Sequence, residues 1–129
     1  MLPAAARLRR REDFAAVVRR GRRTGRGALV IYRLAAADDG PVPDRPRTAR
    51  VGFVVGRTVG NAVRRHEVSR RLRHLMRDRL GRLQPGDRVV IRANPAAGGR
   101  TSADLGADID RALARLCTVE ASATVGRPG

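Results

Sequence analysis

Between Asn61 and about Leu80, the spacing of the apolar residues predicts one long amphipathic helix. Val68, Leu72, Leu75 and Met76 recur at i, i+4, i+7 and i+8, which lines them along one side of that helix. Most of the other positions are arginine. On the helical wheel His66, Arg70, Arg73 and Arg77 form a stripe opposite the apolar side, Arg64 and Arg71 border that side on one flank, and Arg65 borders it on the other. Seven arginines fall between positions 64 and 79, and Glu67 and Asp78 are the only acids among them. Pairing at i,i+4 cannot neutralise such a face, so its charge points to phosphate binding rather than to a merely solvated surface.

The whole chain shares this bias. Its 129 residues carry 28 basic side chains, all arginine, against 12 acids, for a net charge of +16. Self-repulsion of that size calls for a polyanionic partner, and the planar guanidinium fork suits phosphate oxygens and base faces. The positive charge concentrates in residues 1–30 and 57–82, whereas the last 29 residues hold three arginines and four acids. The C-terminal helix is therefore not expected to contact nucleic acid.

With 42% hydrophobic residues the chain can build a single core, and its length fits one domain. Phe14, Tyr32 and Phe53 are the only aromatics, so Val, Leu, Ile and Ala must supply most of that core. The single cysteine, Cys117, excludes an internal disulfide, and with His66 and His74 it cannot assemble a structural zinc site. Neither histidine has an evident nucleophile beside it, and there is no phosphate-cradling P-loop and no carboxylate cluster suited to holding two metals. No catalytic residue is assigned. The run Ala4 to Ala6 is too short for a signal peptide, and no stretch approaches membrane-spanning length, so a reducing cytoplasm and no membrane partner are expected.

Along the chain, acids at Glu12 and Asp13, a shared face of Phe14, Val17 and Val18, and Arg19 and Arg20 before Gly21 predict a first helix. A Gly-rich basic linker follows. Ala28 to Leu34, Val51 to Val55 and Arg88 to Ala93 read as strands, separated by a proline-rich loop at 35–48, a turn between Gly56 and Gly60, and the arginine helix. Thr101 or Ser102 caps a last helix whose stripe is Leu105, Ile109, Ala112, Leu113 and Leu116. Residues 1–117 are expected to form one RNA-binding domain, and 118–129, which lack periodicity, a disordered tail.

Several runs occur in an order that resembles the protein subunit of bacterial ribonuclease P, over roughly residues 2 to 117. They are Leu8-Arg9-Arg10-Arg11-Glu12-Asp13-Phe14, Arg20-Gly21, Val30-Ile31-Tyr32, Gly52-Phe53-Val54-Val55-Gly56-Arg57 and Val59-Gly60-Asn61-Ala62-Val63, leading into Arg65 to Arg73. The last resembles the family's arginine-rich signature helix. The chain departs from the pattern at Arg65-His66-Glu67, where the family usually has Arg-Asn-Arg, at Ser69 for a frequent lysine, at Val18 for a second Phe and at Gly56 for Ser.

The resemblance implies an α/β fold, an α+β two-layer sandwich of about four strands and three helices in αβββαβα order, with an unusual left-handed, split βαβ crossover. It implies a non-catalytic subunit of an endoribonuclease whose chemistry belongs to an RNA subunit with bound Mg²⁺. Its partners would be that catalytic RNA and precursor tRNA, with no role for DNA. The single-stranded 5′ leader would lie in a cleft at Arg9, Phe14, Val18, Leu29 and Tyr32. RNA contacts would come from Arg57, Asn61, Arg64, Arg65, His66, Arg70, Arg71, Arg73 and Arg77. A ribosomal or ribosome-assembly protein that binds rRNA is the alternative with the same size and basicity. A helix-turn-helix regulator fits less well, because strands flank the arginine helix on both sides.

Overall fold

The computed structural model describes residues 2–36 and 48–125. Most of the expected proline-rich loop, residues 37–47, lies outside the described residues, as do 126–129. The elements run α1 (Arg11–Arg20), β1 (Arg22–Arg26), β2 (Leu29–Leu34), β3 (Arg50–Val55), α2 (Ala62–Arg77), β4 (Arg88–Ala93) and α3 (Ser102–Val125). The four strands form one mixed sheet in the order β1-β2-β4-β3, with β3 parallel to β4 and the other pairs antiparallel.

Local chemistry explains the helix ends. Glu12 and Asp13 sit in the first turn of α1 and Arg19 and Arg20 in its last, matching the helix dipole at both ends. The Asn61 side chain accepts a hydrogen bond from the Arg64 amide at 2.9 Å and caps α2, and Thr101 Oγ1 accepts from the Asp104 amide at 3.1 Å and caps α3. From Ala107 to Val125 there is neither Gly nor Pro, and the backbone of α3 runs past the expected end at Cys117 to Val125, just before Gly126.

Two expectations are corrected. The basic stretch after Gly21 is not a linker but strand β1, paired with β2 through the register Arg22↔Arg33 to Arg26↔Leu29 and turning at Gly27, whose φ is +53°. Its sequence RRTGR has no apolar alternation, because backbone pairing with β2 rather than a buried stripe defines it. The crossover through α2 joins strands that are direct neighbours, so it is not split.

The two sheet faces are covered unequally. On one, Val68, Leu72 and Met76 of α2 and Leu105, Ile109, Leu113 and Leu116 of α3 pack on Leu29, Ile31, Val51, Val89, Ile91 and Ala93. On the other, α1 covers part of the sheet, where Val17 packs with Leu8, Tyr32, Leu34 and Val90.

Ion pairs fasten these layers. Arg33 and Asp87 meet inside the core through paired bonds of 2.8 and 3.1 Å, and Asp87 also accepts the Gln84 amide at 2.8 Å. Arg88 reaches Asp13 of α1 at 3.0 Å. Arg79 and Arg82 converge on Asp110 of α3 at 2.7 and 2.9 Å. The hydrogen bond from Arg79 holds the Asp110 carboxyl below its ordinary range and raises the Arg79 guanidinium in turn.

Candidate nucleic-acid interface

Helix α2 buries Val68, Leu72 and Met76 fully and leaves His66, Arg70 and Arg77 exposed, with Arg73 half-buried on the same side. The predicted stripe therefore exists as one face. Arg65, Arg70, Arg73 and Arg77 have no carboxylate within ion-pair distance among the described residues, and neither has Arg57, exposed in the turn before α2. Arg64 and Arg71 are more constrained. The Arg64 guanidinium donates to the Gly98 carbonyl, and Arg71 donates to the Arg100 carbonyl at 3.1 Å while lying 3.8 Å from Glu67. Both tie α2 to the segment after β4.

Arg79 leaves the charge cluster altogether. Besides its pair with Asp110 it donates to the Leu75 carbonyl at 2.8 Å, so it binds α2 to α3 and is not offered to a ligand. Asn61 is exposed and serves as the helix cap. Replacing Asn61 by Ala should cost about 1 kcal/mol of stability while Asn61→Asp should cost far less, a difference read by urea denaturation.

Strand alternation builds the second surface. Tyr32, Val90 and Gly52 form a row on the α1 side of the sheet, and Val30, Arg92 and Val54 form the next. Helix α1 covers the first row and stops short of the second. Beside α1 a cleft of about 280 Å³ opens between Val18 of the helix, the sheet residues Tyr32, Val54, Val90 and Arg92, and the flanking Gly56, Thr58, Asn94 and Pro95. Val18 and Val54 are exposed there, 44% and 40%, although both are large and apolar. Tyr32 is buried and forms part of the floor.

The structure thus brings Val18 and Tyr32 together but separates the other residues expected beside them. Leu29 is a correction: the alternation of β2 turns it to the opposite face, into the core under α2 and α3. Phe14 is another. Its ring lies over Gly52, where a Cβ would stand 2.3 Å from Cζ, and it lines a separate groove instead of the cleft. Arg9 is exposed before α1 and lines neither depression.

Arg92, Thr58 and Asn94 were not expected in the cleft. The signal for Arg92 was present in the pattern RVVIRA, where Val89 and Ile91 alternate with Arg88, Val90 and Arg92, so an arginine two residues beyond Val90 must share its face.

With this geometry in view, the chain was compared with known proteins. The Ribonuclease P family matches residues 2–117. A Streptomyces avermitilis protein named Ribonuclease P protein component is 55% identical over 117 residues, covering 90% of this chain and 95% of its own length. One of the same name from Salinispora tropica is 47% identical over 125 residues, covering 88% and 92%. Among solved structures, the Staphylococcus aureus RNase P protein superposes with a TM-score of 0.71 at 18% identity, over 84% of this chain and 92% of that one. The Thermotoga maritima RNase P protein gives 0.67 at 22% identity, over 84% and 96%. The structural likenesses establish the shared α+β fold. The family match and the identity to near-full-length relatives together place this chain in the family of ribonuclease P protein components.

Proposed function

We propose that this protein assists RNA-catalysed removal of the 5′ leader from precursor tRNA by holding two RNAs on two surfaces. The catalytic RNA lies against the outer face of α2, on Arg65, Arg70, Arg73 and Arg77, with Arg57 and His66 beside them. The leader enters the cleft past Val18, over Tyr32 and Val54, with Arg92 as its phosphate ligand. Arg64 and Arg71 brace α2 against the segment after β4 and present their remaining donors to the same RNA. The observation that carries the reading is the α2 face, where Arg65, Arg70, Arg73 and Arg77 lack carboxylate partners among the described residues while the opposite side of the helix is sealed in the core. Residues 1–117 would act as one RNA-binding unit in the cytoplasm.

Mg²⁺ belongs to the RNA in this scheme, which assigns no metal ligand to the protein; among the described residues no group of three or more His, Cys, Asp or Glu could hold a metal ion. No helix among the described residues is long and apolar enough to cross a membrane. The names of the relatives favour this reading over a ribosomal one, and the RNA that copurifies with the tagged protein tests it. One large catalytic RNA is expected; rRNA alone would return the ribosomal alternative.

The two surfaces should separate by mutation. Arg70→Ala with Arg77→Ala should leave circular dichroism and melting unchanged, weaken binding of the catalytic RNA, and lower its salt slope by about two. Arg92→Ala should instead weaken precursor tRNA by about tenfold, the loss of one charge-assisted hydrogen bond, and leave mature tRNA unchanged. Equal losses for both tRNAs would remove Arg92 from the leader path.

A further inference from the structure

The groove that takes Phe14 shares no lining residue with the cleft. It measures about 230 Å³ and runs around the outer edge of β3, between Phe14 and Leu8 on one side of the sheet and Phe53 on the other. Ser69 and Arg73 of α2 and Arg7 close it, and no acid lines it. Its volume falls below the range of about 300–1,000 Å³ typical of small-molecule sites, which suits a planar group entering from a larger ligand.

Edge geometry adds polar recognition. The Val51 carbonyl accepts the Leu8 amide at 3.0 Å on the outer edge of β3, so alternation turns the backbone N–H and C=O of Phe53, two residues on, to the same open edge. The groove therefore combines aromatic rings, a main-chain donor and acceptor, a hydroxyl and a guanidinium. Arg65, Ser69 and Arg73 follow at i, i+4 and i+8 along this flank of α2, and Arg65 keeps a buried Nε with no acceptor among the described residues.

Aromatic surface beside an arginine that no carboxylate neutralises, as Arg73 is among the described residues, is the combination that takes nucleobases and their phosphates. We propose that this groove holds one unpaired nucleotide of the catalytic RNA, its base against Phe14 and Phe53 and its phosphate on Arg73. The catalytic RNA is the occupant because α2, which supplies the polar wall, is the helix assigned to it above; the inference rests on that assignment. Phe14, seated on Gly52, walls the groove off from the leader cleft.

The test is a photocrosslinker on Ser69→Cys in a Cys117→Ser background, assembled with catalytic RNA and precursor tRNA, beside a control carrying it on Arg70→Cys. Crosslinks from position 69 to one unpaired nucleotide of the catalytic RNA are expected. If the control labels the catalytic RNA while position 69 labels only the leader, or nothing, the groove proposal is overturned and the α2 assignment stands. If neither position labels the catalytic RNA, the assignment falls and takes the proposal with it. As a second reading, Ser69→Phe fills the groove and should weaken catalytic-RNA binding about tenfold without altering the preference for leader-bearing over mature tRNA. Unchanged affinity in a folded Ser69→Phe variant would also sink the idea.

Discussion

Raising monovalent salt from about 50 to 200 mM should weaken the affinity for catalytic RNA by about one hundred- to five hundredfold. Each phosphate neutralised by a guanidinium releases condensed counterions, and five arginines on or just before α2 have neither a carboxylate partner nor a bond to the segment after β4 among the described residues: Arg57, Arg65, Arg70, Arg73 and Arg77. Five contacts correspond to a log–log slope of about −3.5 to −4.5, the spread reflecting single-stranded against duplex targets. Arg79 is left out of the count because Asp110 already neutralises it. A titration that came out nearly flat would mean that shape or base contacts, not phosphates, dominate the α2 interface.

Asp87→Ala should lower stability by about 3–5 kcal/mol, the usual cost of stranding one member of a buried ion pair. The Arg33 and Asp87 side chains are 3% and 0% exposed, and Asp87 also accepts the Gln84 amide, so its removal takes a buried counter-charge from Arg33 and an acceptor from that amide. Removing both charges is a different experiment. Arg33→Met with Asp87→Leu keeps the volume apolar and should recover most of the loss, since desolvating two ions offsets much of their attraction. Urea denaturation of the single and double variants reads both values; a single variant as stable as the parent would show that the pair contributes little.

The legible part of this fold is the part written in apolar periodicity. Val68, Leu72 and Met76 placed α2, and the stripe from Leu105 to Leu116 placed α3, because a buried helical face demands such spacing. Strand β1 was invisible for the opposite reason, being held by backbone pairing that leaves no mark on side-chain order. At the candidate interface, counting arginines showed where charge accumulates but not which charges are committed. Arg33, Arg79 and Arg88 read like their neighbours in sequence and turn out to be fasteners, since their partners Asp87, Asp110 and Asp13 lie 31 to 75 residues away. Leu29 and Arg92 differ, because the alternation of β2 and β4 already set their faces. What the register between strands adds is which residues stand beside them on that face.

Strand β1 carries one more implication, for colloidal behaviour. It forms an outer edge of the sheet, the kind of surface on which a second chain can add a strand and begin aggregation. Its exposed Arg22 and Arg23 make that addition unfavourable, because two copies approaching edge to edge would bring like charges together at strand spacing. The polarity that hides β1 from pattern reading is thus also a guard against misassembly. It works best at low ionic strength, where the charge of those arginines is least screened.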